Sequence, residues 1–298
     1  MRTVFLGTSE FAATVLEHLA ASAHSPALVL TRPDRPRGRG RRLASPPVAE
    51  TARELGLPLE QPESVNAEEA RERIAAADPG AVCVCAFGAI IREPLLSEHP
   101  MLNVHPSLLP RWRGAAPIER AIMAGDEQTG VCVMRLTAGL DSGPIAGCRR
   151  EPIGPQDTYG SLFPRLAAAG AELLVGALDE PPKWEEQPEE GVTYAEKIAG
   201  EERTLDPARP ATELERRVRA LTPHVGARLE LPGGALLGVR AAVARPSGPP
   251  AGALSAADGR LLVGCAAGAL ELLDVQPPGG RAMAAADYLR GNPALAAG

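Results

Sequence analysis

The sequence predicts an α/β protein in two parts, an open parallel sheet of Rossmann type followed by a C-terminal OB-like β-barrel. Three observations carry this. An apolar run at residues 3–6, a helical stretch at 11–19 and a second apolar run at 27–30 have the spacing of a right-handed parallel crossover. Residues 81–86 are apolar throughout, as a strand buried on both faces should be. From residue 227 onward, short apolar runs alternate with Gly, Pro and Asp, the rhythm of a small barrel. A chain of 298 residues that is 45% hydrophobic can bury the cores of two such domains, and with only 3% aromatics those cores must be aliphatic.

Taken in order, the first strand ends at Gly7-Thr8-Ser9-Glu10, a turn in which Ser9 caps the following helix. After the second strand, residues 32–46 form a loop rich in Pro, Gly and Arg. Residues 48–55 and 67–77 read as helices, and 102–105 as a strand whose Asn103 and His105 share one face. Pro117 opens a helix over 117–124. Strands are expected at 130–136 and 145–149. A long helix covers 158–178, although Pro164 and Gly170 interrupt its pattern. The prolines and acids of residues 180–210 mark a tether. These readings divide the chain into a Rossmann-type domain at 1–190, a linker at 191–209 and a barrel domain at 210–298. In the last part, 213–221 is a helix with Leu214, Val218 and Leu221 on one face. Short strands follow at 228–231, 237–243, 261–263 and 270–273.

A net charge of −6 argues against a uniformly basic nucleic-acid binder. Charge is uneven, however: residues 31–42 hold six Arg and one Asp, a local +5 that leaves −11 for the rest. Such an arm can hold a polyanion on an otherwise acidic protein. Five cysteines, an odd number with no C-x-x-C pair, fit a reducing cytoplasm, with Cys83 and Cys85 as buried thiols. No signal-peptide pattern and no 18-residue apolar stretch is read, so no membrane association is expected. Gly7-Thr8-Ser9-Glu10-Phe11 lacks the glycines of a dinucleotide fingerprint, and no P-loop occurs, which excludes a nicotinamide reading.

The chemistry-bearing residues are Asn103, His105 and Asp141. Acyl transfer to an amine needs donors for an oxyanion, a group that handles the amine proton and a carboxylate that tunes it. An amide, an imidazole and a carboxylate supply those types. A strand histidine is more often a structural hydrogen-bonding partner, and Asp141-Ser142-Gly143 is also an ordinary turn sequence. Spacing alone does not bring Asp141 to His105.

The run Asn103-Val104-His105-Pro106-Ser107-Leu108-Leu109-Pro110, continuing through Arg111-Trp112-Arg113-Gly114-Ala115-Ala116-Pro117-Ile118, resembles the folate-dependent formyltransferase superfamily. So do Gly139-Leu140-Asp141-Ser142-Gly143, Gly7-Thr8-Ser9-Glu10-Phe11-Ala12 and Thr193-Tyr194-Ala195-Glu196-Lys197-Ile198, so the likeness spans nearly the whole chain. The resemblance implies that Asn103, His105 and Asp141 are the catalytic trio. It implies that Ser107, Leu108, Leu109 and Pro110 bind folate, beside a strand-end loop containing Phe87 and Gly88, where Tyr is usual at position 87. It further implies 10-formyltetrahydrofolate as co-substrate, with no metal and no nicotinamide. Initiator methionyl-tRNA is the implied partner, with Arg39 matching a residue used on its acceptor end; Arg35, Arg37, Arg41 and Arg42 of the same charged loop, and the barrel, are expected to meet it as well. A monomer in the cytoplasm is expected. The weighed alternatives are a formyltransferase acting on a small amine or amino-sugar nucleotide, and a non-catalytic RNA-binding protein. Cys132 departs from the pattern, which usually has a hydroxyl residue or Met there.

Overall fold

Strand β1 (Thr3–Gly7) is buried at every position, because the sheet it lies in is covered on both faces. The computed structural model describes residues 1–37, 42–256 and 258–292. Helix α1 (Glu10–Ala20) starts where expected: Ser9 Oγ accepts the Ala12 N–H at 3.3 Å, satisfying a first-turn donor. Its Phe11, Val15, Leu16 and Leu19 recur at helical spacing and are buried. Next come β2 (Pro26–Leu30), β3 (Arg35–Arg37), β4 (Arg42–Ala44), α2 (Pro47–Glu54), β5 (Leu59–Glu60) and α3 (Glu68–Ala76). They are followed by β6 (Ala81–Cys85), α4 (Leu95–Glu98), β7 (Met101–His105) and the two-residue β8 (Arg113–Gly114). β3 and β4 pair as an antiparallel hairpin inside the stretch expected to be irregular loop.

Beyond α5 (Pro117–Ala124), strands β9 (Gln128–Arg135) and β10 (Ile145–Pro152) complete a seven-stranded sheet of order β10-β9-β7-β6-β1-β2-β5. β7, β6, β1, β2 and β5 are parallel, and β9 runs antiparallel to β7. The chain leaves β1 first toward β2 and later returns to its other side with β6. In open α/β sheets such a reversal is where a ligand crevice is expected, outside the carboxyl ends of the strands, here β1 and β6 with β7 beside them.

Helix α6 (Tyr159–Asp179) runs unbroken through both residues expected to disturb it. Gly170 answers a packing need: a Cβ there would lie 2.7 Å from Val104 Cγ1 and 3.0 Å from Val131 Cγ2, so only glycine lets the helix approach β7 and β9. By length and composition α6 could also cross a bilayer, which corrects the expectation that no apolar stretch of that length exists. Here Leu166, Ala167, Ala171, Leu174 and Leu178 are buried along one side of it.

Cysteines were only partly legible. Cys132 on β9 and Cys148 on β10 form a disulfide, their Cα atoms 4.1 Å apart, a pairing that composition did not reveal. Cys83, Cys85 and Cys265 are free and buried. Burial pushes the Cys83 thiol up to about 12, so it stays protonated and inert at neutral pH.

After the two-residue β11 (Tyr194–Ala195) come α7 (Ala211–Leu221), β12 (Ala227–Glu230), β13 (Leu236–Arg245), β14 (Leu254–Ser255), β15 (Leu261–Gly264), β16 (Ala269–Gln276), β17 (Met283–Ala284) and α8 (Ala285–Arg290). The expected barrel is a curled antiparallel sheet of order β12-β13-β16-β15-β14, with β17 on β16. Register shifts at Val239–Ala242 bend β13, which pairs with β12 on one side and β16 on the other. Leu214, Val218 and Leu221 of α7 are buried with Leu237, Val239, Leu261, Val263, Leu270 and Leu272, as the helical face predicted.

The chain divides into two compact units. Met1–Gly114, Thr129–Pro152 and Phe163–Tyr194 make the first; Ala115–Gln128, Ile153–Leu162 and the described residues from Ala195 onward make the second. This differs from the division drawn on composition because α5 packs on α7. Arg120 grips Glu202 at 2.6 and 3.0 Å, and Glu119 meets His224 at 2.9 Å, tying α5 to residues distant in sequence.

Glu271 on β16 is a buried charge in the second unit. Arg260 holds it through two bonds of 2.7 Å, and Arg245 through one of 2.5 Å. These guanidiniums, Arg260 foremost, hold its carboxyl down to about 2. A carboxylate depressed in the folded state stabilises the fold above its unfolded value and loses that contribution as pH falls toward its folded value. The melting temperature of wild type should therefore exceed that of Glu271→Gln at neutral pH. The gap should close as pH drops from the ordinary carboxylate range to about 2. Thermal melts across that range check it, and a gap that does not change with pH refutes the role.

Candidate active site

Strand β7 ends at the crevice with two polar side chains on one face. Asn103 lies beside Val84 of β6 and Met134 of β9, and His105 beside Cys132. Both side chains are buried, Asn103 at 7% exposure and His105 at 4%. Burial on an otherwise apolar strand calls for partners. His105 Nε2 lies 2.9 Å from the Trp112 carbonyl. A carbonyl only accepts, so this nitrogen carries the proton and the tautomer is set. The other nitrogen, Nδ1, faces Asp141 Oδ2 at 3.6 Å. The structure thus brings Asp141, which spacing could not place, to His105, while Asn103 lies two residues before His105 on the same strand.

Asp141 is held rather than merely adjacent. Its backbone sits at φ +44°, uncommon for any residue but glycine and best tolerated by Asp and Asn. Its Oδ2 accepts the Gly114 N–H at 2.9 Å, and its carbonyl accepts Gln187 Nε2 at 2.9 Å. Trp112 and Ala86, at the same edge of the sheet, have φ of +64° and +41°. Three non-glycine residues in the left-handed region around one crevice are the kind of stored strain that functional sites carry.

The segment from Ser107 to Pro110 is a built turn. Ser107 is fully buried; its N–H donates to the His105 carbonyl at 2.9 Å, and its Oγ donates to the Arg111 carbonyl at 2.7 Å. Leu109 is buried against Cys132, Met134 and Ile145, whereas Leu108 and Pro110 are partly exposed. Phe87 turns its ring into the core with Val4, Leu6 and Val84, so the loop it belongs to presents backbone rather than that ring. Thr8 Oγ1 donates to the Phe87 carbonyl at 2.7 Å, and Arg32 Nη1 to that of Gly88 at 3.0 Å.

Of the arginine loop, Arg35 is exposed on β3, and Arg37 and Arg42 form the last described backbone pair of the hairpin. Arg39 and Arg41 lie outside the described residues. The base of the hairpin is pinned: Asp34 accepts from Gln61 Nε2 at 2.8 Å and from Ser45 Oγ at 3.0 Å. Arg53 donates to the same Ser45 and Gln61 at 2.9 and 3.0 Å. The Gln61 bond, above all, holds the Asp34 carboxyl below its ordinary value. Among the described residues, no cluster of His, Cys, Asp and Glu is suited to a metal ion.

Sequence reasoning did not single out Gln187, and it gave no site role to Thr193, the Gly114 N–H or the Trp112 carbonyl, although the last three lie in family-like runs. The last two are backbone groups, which no residue type announces. Gln187 and Thr193 lie in a tract whose composition reads as a tether.

Comparison with known proteins bears on the whole chain. A family model described as formyl transferase matches residues 1–178, and one described as formyl transferase, C-terminal domain, matches residues 197–293. The methionyl-tRNA formyltransferase of Halorhodospira halophila is 47% identical over 98% of this chain and 96% of its own. That of Methylococcus capsulatus is 48% identical over 98% and 97%. Among solved structures, HypX from Aquifex aeolicus in complex with tetrahydrofolic acid superposes with a TM-score of 0.66 at 18% identity. It is matched over 97% of this chain and 47% of its own, so the chain spans about half the length of HypX. Methionyl-tRNA formyltransferase from Clostridium thermocellum gives a TM-score of 0.57 at 14% identity, over 82% and 93% of the two chains. At these identities the structural likeness speaks to the fold.

Proposed function

The chain belongs to the formyl transferase family, and from that premise we infer that it transfers the formyl group of 10-formyltetrahydrofolate to the α-amino group of methionyl-initiator tRNA. The observation that carries the reading is the convergence of Asn103, His105 and Asp141 at the carboxyl end of β7, with one imidazole nitrogen committed to a carbonyl and the other turned to a carboxylate.

The proposed reaction follows from that geometry. The amine nitrogen attacks the formyl carbon, and the carbonyl electrons move onto its oxygen. Asn103 offers an amide N–H to that oxyanion. His105, with Nε2–H fixed on Trp112, turns Nδ1 to the Asp141 carboxylate 3.6 Å away. The bond to N10 of the folate then breaks. The amine proton is passed to that nitrogen through water beside Asp141 and His105. The folate is proposed to lie along Ser107, Leu108, Leu109 and Pro110 and against the backbone at Phe87 and Gly88. The tRNA is proposed to meet Arg35, Arg37, Arg39, Arg41 and Arg42, whose guanidiniums suit phosphate forks, together with the C-terminal unit. The proposed setting is the cytoplasm and the proposed acting form a monomer.

The test is direct. The protein is incubated with 10-formyltetrahydrofolate and either charged initiator tRNA or an amino-sugar nucleotide, and the formylated product is identified. N-formylmethionine on the tRNA is expected. Turnover of the amino sugar alone would replace the acceptor and keep the chemistry. Tight, salt-dependent tRNA binding without any transfer would leave only the RNA-binding alternative.

A further inference from the structure

Residues 184–193 come from the tract that reads as a tether, yet they fasten both loops of the candidate site. Glu185 exchanges two backbone hydrogen bonds with Ile145, at 2.7 and 2.9 Å. The Arg135 guanidinium lies 4.5 Å from the centre of the Trp184 ring, a cation–π contact. At the other end, Thr193 Oγ1 accepts the Trp112 N–H at 2.9 Å, and its carbonyl accepts the Arg113 N–H at 2.9 Å. Between these anchors sits Gln187. Its Nε2 donates to the carbonyls of Asp141 at 2.9 Å and Gly143 at 2.8 Å. Its Oε1 accepts from Nε and Nη2 of Arg113 at 3.0 and 2.7 Å. The amide therefore spends both N–H groups and both lone pairs.

We propose that Gln187 is a positioning residue for Asp141, holding the carboxylate in line with His105 Nδ1. This rests on the assignment of Asp141 to the reaction. Asp141 occupies the left-handed region, a conformation that persists only where its surroundings over-determine it. Gln187 supplies that restraint at two points. It binds the carbonyls on either side of Ser142, and through Arg113 it holds the residue next to Gly114, whose N–H binds the Asp141 carboxylate. One side chain thus restrains the backbone of Asp141 and the peptide that aims its carboxylate.

Glutamate at this position separates the two functions of the amide. Gln187→Glu keeps two acceptors for Arg113 and adds charge, but it turns oxygen toward two carbonyls. If Gln187 served only to anchor Arg113, this variant would be silent or stabilising. The experiment measures kcat, both KM values and Tm for Gln187→Glu and for the milder Gln187→Asn, each alone and in an Asp141→Asn background. The substrates are 10-formyltetrahydrofolate and charged initiator tRNA. Gln187→Glu should lower kcat by about 10- to 100-fold. Both KM values should stay within about threefold, and a residual bidentate partner for Arg113 should keep the protein folded. Gln187→Asn should fall in between, and it remains readable where the glutamate variant does not fold. Neither should cost anything further once Asp141 is Asn. Wild-type kcat in both Gln187 variants, or losses that multiply with Asp141→Asn, would overturn the proposal. Full turnover in Asp141→Asn by itself would remove the assignment on which it rests, and is distinguishable because it needs no Gln187 variant.

Discussion

Replacing Asp141 by Asn should lower kcat for formyl transfer by about 10²- to 10⁴-fold, the range typical of a group that handles protons in a transition state. The substitution isolates charge. Asparagine is the other residue that tolerates φ +44°, so the backbone at this position is not newly strained. Its side-chain oxygen still accepts the Gly114 N–H that now reaches Oδ2 at 2.9 Å. What disappears is the carboxylate that faces His105 Nδ1 at 3.6 Å, the group beside which the amine proton is passed. Thermal stability should change by no more than about 0.5 kcal/mol, because the residue is partly exposed and its contacts survive. Steady-state kinetics with a melt on the same preparation decide it. A variant that turns over at the wild-type rate, with an unaltered melt, would remove Asp141 from the reaction.

A second large effect is expected from a residue with no chemistry. Gly143 is buried, and a Cβ on it would lie 2.0 Å from the carbonyl oxygen of Arg135 and 2.9 Å from Thr137 Cγ2. Its φ is outside the left-handed region, so the demand for glycine is one of space and not of conformation. The first clash is with backbone, which cannot swing away as a side-chain tip can. Gly143→Ala must shift the loop that carries Asp141. It should also weaken the hydrogen bond of 2.8 Å from Gln187 to the Gly143 carbonyl and that from the Arg135 N–H to the Pro144 carbonyl, also 2.8 Å. Overpacking of this kind costs about 1–3 kcal/mol. A displacement on the order of 1 Å at the carboxylate should reduce kcat by about 100-fold. Gly147→Ala on β10 is the control, since its Cβ would meet only Leu173 Cδ2 at 3.8 Å. It should leave both melt and turnover near wild type. Equal behaviour of the two alanine variants would show that the loop has slack.

These two residues also mark how far the sequence could be read. Asp141 was legible as a chemical type and as part of a family pattern, but its neighbour across the crevice was not. Gly143 read as ordinary turn punctuation, whereas the structure makes it a spacer under β9. Gly170 is parallel: it read as an interruption of a helix and proved to be what lets the helix reach the sheet. In each case the residue type was visible and the atom it must avoid was not, because that atom comes from a distant part of the chain.

What the sequence by itself determined is local. The apolar runs of β1 and β6, the Ser9 cap, the one-face alternation of Asn103 and His105 and the apolar face of α7 all follow from backbone periodicity and short-range hydrogen bonding. Only the tertiary structure decided the rest. It set the His105 tautomer by placing the Trp112 carbonyl on Nε2, and it brought Asp141 to Nδ1. It also made residues 184–193 a clasp, joined Cys132 to Cys148 and grouped α5 with α7. The physical reason is common to all of these. Each depends on where one loop or strand packs against another, and that placement is set by burial and backbone pairing over long sequence separations, which residue spacing does not encode.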